Sequence, residues 1–205
     1  MTHIPMSART LPLYTAAQVR ELDRLAIEAA AIPGYTLMTR AGEACWQLLR
    51  SNWPDARRVC VLCGTGNNGG DGYVVARLAL AAGLQVQLLQ LGDATRIRGD
   101  AEQARADFLA AGGQVTAFGQ AKLDAPDVIV DAMLGTGLQR PLAAAWHDAA
   151  LAANASACAV LAVDIPSGLL ADSGHRVSPG PTRLRAGQKG WSRKNEDCIH
   201  YRRGG

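Results

Sequence analysis

Three short segments of this chain hold the polar groups that could do chemistry. They are GTGNNGGD at 64–71, DAMLGTGLQRP at 131–141 and DIPSG at 164–168. The first contains Gly64, Gly66 and Gly69 in a GxGxxG pattern, which lets backbone approach a phosphate ahead of a helix N-terminus. Asp71 argues against an ordinary pyrophosphate site, because a carboxylate at the start of the expected helix competes for the same N–H groups. No clear ribose-binding acid stands at the end of the second strand either, Asp93 being the only nearby candidate. Asn67 and Asn68 suggest a different use, since amide oxygens are good ligands for hard cations. With Asp131 and Ser167 at the other two strand ends, the three loops could together supply oxygen ligands with a single carboxylate. Such a set suits a monovalent cation, K⁺, better than Mg²⁺.

Two further residues have paired readings. Arg140 could hold a phosphate through its planar fork, or stand as an exposed surface arginine. Asp164, at the end of an apolar run, could act as a general acid or base, or could cap its own turn. The four histidines (His3, His147, His175, His200) lie outside all three segments. No Ser/His/Asp set and no zinc site can be built from them. Cys60 and Cys63 form a CxxC inside the apolar run RVCVLC with no second pair, which reads as core cysteines.

The elements that must position these groups follow from periodicity. Thr15 and Gln18 make a capping box, and Val19, Leu22, Ala26 and Ala29 continue at helical spacing. Pro33-Gly34 stops that helix. Thr36 can cap a second one, with Leu37, Ala41, Ala44 and Leu48 as its stripe. From residue 58 onward, apolar runs alternate with helical segments. Strands are expected at 58–63, 84–91, near Val115, at 127–133 and at 159–164. Glycine loops are expected at 64–71 and 134–141, and helices over 72–83, 98–111 and 142–155. Apolar strands in repeated strand–loop–helix order predict a mostly parallel sheet covered on both faces. The expected fold is α/β, a Rossmann-like three-layer αβα sandwich preceded by two helices. In such a sheet ligands bind beyond the carboxyl ends of the strands, where all three polar segments sit.

Composition narrows the partners. The 205 residues are 48% hydrophobic, which excludes a disordered or collagen-like chain. No apolar run is long enough to span a membrane, and the first residues lack a signal core. Residues 175–205 hold eight basic residues against two acidic ones, a local charge of +6 within a net charge of +3. Everything before them therefore carries −3. That body lacks interleaved basic and aromatic residues, so nucleic acid is not an expected partner. Five cysteines without a framework spacing fit a reducing, cytoplasmic setting.

With these residues in place, the sequence resembles the NAD(P)H-hydrate epimerase family, also called the YjeF N-terminal domain. The resemblance is carried by VCVLCGTGNNGGDGYVVARLAL, VDAMLGTGLQRPL and VLAVDIPSGLLADSG, and extends to the leading helices. It implies an isomerase of nicotinamide cofactor repair, which interconverts the R and S forms of hydrated NADH and NADPH. It also implies a companion ADP- or ATP-dependent dehydratase, and K⁺ as cofactor. Carried over by position, Asn67, Asn68, Gly69, Gly70, Asp71, Gly135, Thr136, Gly137, Leu138, Gln139, Arg140, Pro141 and Asp164 would contact substrate. Asn68, Asp131 and Ser167 would hold K⁺, and Asp164 would transfer the proton.

The resemblance covers residues 11–177, the expected domain. Residues 178–205 depart from the family, read as a basic disordered tail and have the composition of a frameshift or truncated gene model. Lys189 falls near the place of a family lysine but with different flanks. An early end to the sheet would favour pairing with a second copy, a homodimer. Two alternatives stay open: an NAD-dependent oxidoreductase using GTGNNG, and a non-catalytic nucleotide sensor.

Overall fold

The computed structural model describes residues 14–175. The first ten residues, the basic 178–205 segment and Lys189 lie outside them. Helix α1 (Ala16–Glu28) opens on the expected capping box, in which Thr15 and Gln18 each accept the other's backbone N–H. Its expected stripe is only partly used. Ala16 and Val19 are buried, whereas Leu22 is exposed. Asp172, beyond the last strand, accepts the Ala16 N–H at 2.7 Å and ties the helix start to the far end of the described chain.

Helix α2 (Gly34–Asn52) begins two residues before the expected Thr36, with Pro33 as its boundary residue. It buries Met38, Gly42, Cys45 and Leu49, one position along from the expected stripe. The displacement has a steric cause. Gly42 is the contact point with the next helix, and a Cβ there would lie 2.5 Å from the Val74 side chain. A glycine and a cysteine at the contact positions carry little of the apolar signal by which a stripe is read.

The remaining elements are β1 (Arg58–Cys63), α3 (Asn67–Ala81), β2 (Gln85–Gln90), a short 3₁₀ turn, α4 (Gly99–Ala110), β3 (Val115–Ala117), β4 (Val128–Ala132), α5 (Ala144–Ala155) and β5 (Ala159–Ala162). The five strands pair in parallel in the order β3-β2-β1-β4-β5. On one face α2, α3 and α4 close over Val59, Val61 and Val130. On the other, Ala149, Ala150 and Ala153 of α5 close over Cys60, Leu62 and Ile129. The expected three-layer α/β sandwich is therefore observed, with an all-parallel sheet among the described residues. Because side chains alternate along a strand, Cys60 and Cys63 enter opposite layers, and burial pushes the Cys60 thiol up to about 12. They are core cysteines.

The strand order reverses between β1 and β4, whose ends pair through Cys63 and Ala132. That is the topological switch point, where open α/β sheets bind their ligands. At the opposite end of the same pair, Asp127 accepts the backbone N–H groups of Arg57 and Arg58 at 2.8 and 2.9 Å.

One expected boundary is wrong in an informative way. The segment NNGGD is not a loop: α3 begins at Asn67, five residues before the expected start. Glycine disfavours a helix interior by about 1 kcal/mol relative to alanine, so three of them read as a loop. Here each permits a contact that a side chain would block. A Cβ on Gly69 would lie 2.1 Å from the Gly64 carbonyl oxygen, one on Gly70 2.6 Å from the Met38 side chain, and one on Gly72 2.5 Å from Ala132 Cβ.

Candidate functional site at the switch point

The three polar segments meet through backbone and side-chain hydrogen bonds. Gly64, just past β1, donates its N–H to Ala132 O at 3.0 Å. A Cβ on it would lie 2.0 Å from Met133 O, so only glycine allows the two strand ends to approach this closely. The first turn of α3 then packs on Gly64 through Gly69. Leu134, after β4, donates its N–H to Ser167 Oγ at 3.0 Å.

At the centre is a buried carboxylate. Asp131 is 4% exposed, and burial pushes its carboxyl above the usual carboxylate range. Hydrogen bonds from Ser167 oppose that shift: its hydroxyl donates to Oδ1 at 2.6 Å and its backbone N–H to Oδ2 at 2.8 Å. Met133 N–H adds a contact to Oδ1 at 3.2 Å. Ser167 is 1% exposed, and the next residue, Gly168, has a φ of 102° that favours glycine.

Asn68 is also buried, and neither its amide oxygen nor its amide nitrogen has a hydrogen-bond partner among the described residues. Leaving such a group unsatisfied costs about 1–3 kcal/mol. Its amide oxygen and nitrogen are thus open to a ligand. Asn68 lies one turn before Gly72, which touches Ala132, so it sits on the side of α3 turned toward the sheet.

Asp164 is buried, and its Oδ2 accepts the Thr136 N–H from the second loop at 2.7 Å. Its contact reaches across the cleft to another loop, which the turn-capping reading did not require. Gly135 fits flush against it, since a Cβ there would lie 2.2 Å from Asp164 Oδ2. Gly137, Gln139, Arg140 and Pro141 form an exposed rim to this loop.

Two expectations change here. Asp71 occupies the second turn of α3, and the first turn carries no acidic residue. The Asn67 and Asn68 N–H groups therefore meet no carboxylate within their own turn, although the Asp71 carboxyl lines the same cavity as Asn67. Sequence reasoning also missed a cavity of about 310 Å³ beside the site, lined by Asp23, Met38, Arg40, Asn67, Asp71 and Asp100. It forms between α1, α2 and the starts of α3 and α4, and nothing in the spacing of those residues announces it. Among the described residues, no group of three or more His, Cys, Asp or Glu could hold a metal, so a cation site would depend on neutral oxygens.

Known proteins resemble this chain in both sequence and fold. The family model described as YjeF-related protein N-terminus matches residues 34–183. The bifunctional NAD(P)H-hydrate repair enzyme Nnr of Escherichia coli K12 is 45% identical over 168 residues, which is 82% of this chain and 32% of that protein. A protein of the same name from Coxiella burnetii is 44% identical, over 79% of this chain and 33% of its own length. The chain thus spans about a third of these relatives. The NAD(P)H-hydrate epimerase of Rhodopirellula baltica is 38% identical over 86% of this chain and 72% of its own length. The crystal structure of yeast ynu0 superposes with a TM-score of 0.75 at 21% identity, over 83% of this chain and 76% of that one, which is a likeness of fold.

Proposed function

The chain belongs to the YjeF-related N-terminal family, and on that premise we propose that it is an NAD(P)H-hydrate epimerase, which interconverts the R and S forms of hydrated NADH and NADPH. The observation that carries the proposal is the buried Asp131–Ser167 pair at the strand ends, together with the buried, unpartnered Asn68 amide in the first turn of α3 and Asp164 bonded to the second loop. Residues 11–177 are taken as the functional unit.

Inversion at the hydroxyl-bearing ring carbon sets a simple chemical demand. That carbon also bears the ring nitrogen. A proton must leave the hydroxyl oxygen and one must reach the nitrogen as the carbon–nitrogen bond opens. The same protons return when the ring closes on the other face. Asp164 is the group assigned to carry the proton, and a buried carboxylate with one oxygen fixed by Thr136 is suited to shuttling it. The Asn67–Asp71 turn and the Gly135–Pro141 loop are assigned to the dinucleotide, with Arg140 at the exposed rim available to phosphate.

Asn68 Oδ1, Asp131 and Ser167 would supply hard oxygens with one carboxylate, a donor chemistry that suits K⁺. A bound K⁺ would supply a fixed positive charge near the substrate. Because Asp131 lies in direct contact with Ser167, this chain's own contribution is to hold two of the three ligands before any ion arrives.

The reading further implies a dehydratase that consumes one of the two epimers. The direct experiment supplies one purified epimer in K⁺ buffer and follows the appearance of the other by chromatography. Tight binding of undamaged NADH with redox turnover would instead favour an oxidoreductase.

A further inference from the structure

Strand β2 ends in a buried polar side chain, Gln90, which is 4% exposed. Its Nε2 donates to Leu91 O at 2.7 Å and lies 3.2 Å from both Cys63 O and Gly64 O. Its Oε1 accepts the Tyr73 hydroxyl at 2.5 Å, from the buried face of α3. An amide has two N–H groups and cannot serve three carbonyls separately. One N–H goes to Leu91, and the other is shared between the consecutive carbonyls of Cys63 and Gly64. A polar residue in this layer costs stability unless it is satisfied, and an apolar one would simply extend the core. Gln90 is satisfied at both ends, and its partners lie where β1 turns into the first polar segment.

That junction has little stiffness of its own. Glycine rotates its peptide more freely than other residues, so the Gly64–Thr65 peptide could turn over. Its carbonyl nevertheless seats between the Gln90 amide and Gly69 of α3. The peptide is planar, so fixing the carbonyl also fixes the Thr65 N–H in the opposite direction. A rotated carbonyl would leave its seat against Gly69 and displace the first turn that carries Asn67 and Asn68.

We infer that Gln90 is a positioning residue: anchored by Tyr73, it locks the Gly64–Thr65 peptide and so sets where the first turn of α3 presents Asn67 and Asn68 to ligand. What the turn binds rests on the epimerase reading. The lock itself does not, and the experiment separates the two.

Gln90→Met keeps the volume and removes the hydrogen bonds, and Tyr73→Phe removes the anchor together with the Tyr73 hydroxyl's contact to Arg105. Val86→Ala, on the same strand and half-buried, controls for general loss of stability. Two quantities are measured in each variant: amide exchange across residues 64–69, and the K⁺ concentration that gives half the thermal stabilisation. In Gln90→Met, exchange at 64–69 should accelerate about tenfold with α5 unaffected, and the K⁺ midpoint should rise by a similar factor. Tyr73→Phe should give a smaller shift in the same direction, and the double variant no more than Gln90→Met. Val86→Ala should lower the melting temperature and leave both quantities unchanged. The inference is overturned if Gln90→Met behaves like Val86→Ala, or if exchange rises uniformly across the sheet. A wild type whose stability ignores K⁺ removes the cation reading, and the exchange data then decide the lock alone.

Discussion

Ser167 grips both oxygens of Asp131, with its hydroxyl 2.6 Å from Oδ1 and its N–H 2.8 Å from Oδ2. The two residues lie 36 positions apart and end neighbouring segments of the sheet. The contact therefore closes the loop after β5 onto β4. It also sets the local electrostatics, because burial raises the Asp131 carboxyl and the Ser167 hydrogen bonds oppose that rise.

Ser167→Ala should accordingly cost more than a surface substitution. It removes a hydroxyl bonded to a buried carboxyl and leaves the Leu134 N–H without its 3.0 Å acceptor. A loss of about 1.5–3 kcal/mol is expected in urea unfolding at neutral pH. A loss within a few tenths would mean that the pair is incidental.

The raised Asp131 carboxyl gives a pH dependence of definite sign. A carboxyl whose folded value lies above its unfolded one binds more protons in the folded state. Its stabilising effect is complete below the unfolded value, near 3.8, and is lost as pH rises through the folded value. Asp127 has the opposite sign, because the Arg57 and Arg58 N–H groups hold it low, and its contribution is lost as pH falls. Asp131→Asn should therefore flatten the decline on the alkaline side of this window, and Asp127→Asn the decline on the acid side. If K⁺ sits beside Asp131, it should stabilise the wild type more at neutral than at acid pH. Melting curves against pH, with and without K⁺, measure all three effects.

The glycines of α3 give a paired test. Gly69→Ala places a Cβ 2.1 Å from the Gly64 carbonyl oxygen and should destabilise by about 1–3 kcal/mol through overpacking. At Gly66 nothing lies within 4 Å and the φ is −99°, so Gly66→Ala should cost less than about 1 kcal/mol. Equal costs would show that α3 does not rest on the Gly64 peptide.

How far the site was legible depended on which signal each residue carried. Apolar runs announced β1, β4 and β5, the more alternating QVQLLQ announced β2, and the polar groups at the strand ends pointed to the cleft. Asp131, Ser167 and Asp164 were legible for that reason. The start of α3 was hidden because its glycines serve packing, while propensity reads them as loop. Cys60 and Cys63 were legible as core cysteines from their apolar run, and the alternation of the strand puts them in different layers. Gln90 was invisible because a single glutamine at a strand end resembles a surface residue. Its partners become apparent only once β2 lies beside β1.

The most direct measurement follows one purified epimer of hydrated NADH in parallel reactions, with wild type and Asp164→Asn, in K⁺ and in a bulky organic cation. The account predicts that wild type in K⁺ drives the mixture to epimeric equilibrium. It predicts a rate lower by a factor of about 10² or more for Asp164→Asn, whose fold and melting temperature stay near wild type. It also predicts a marked loss of rate when K⁺ is replaced. Unchanged rates in Asp164→Asn, or a folded wild type that leaves the single epimer intact in K⁺, would contradict it.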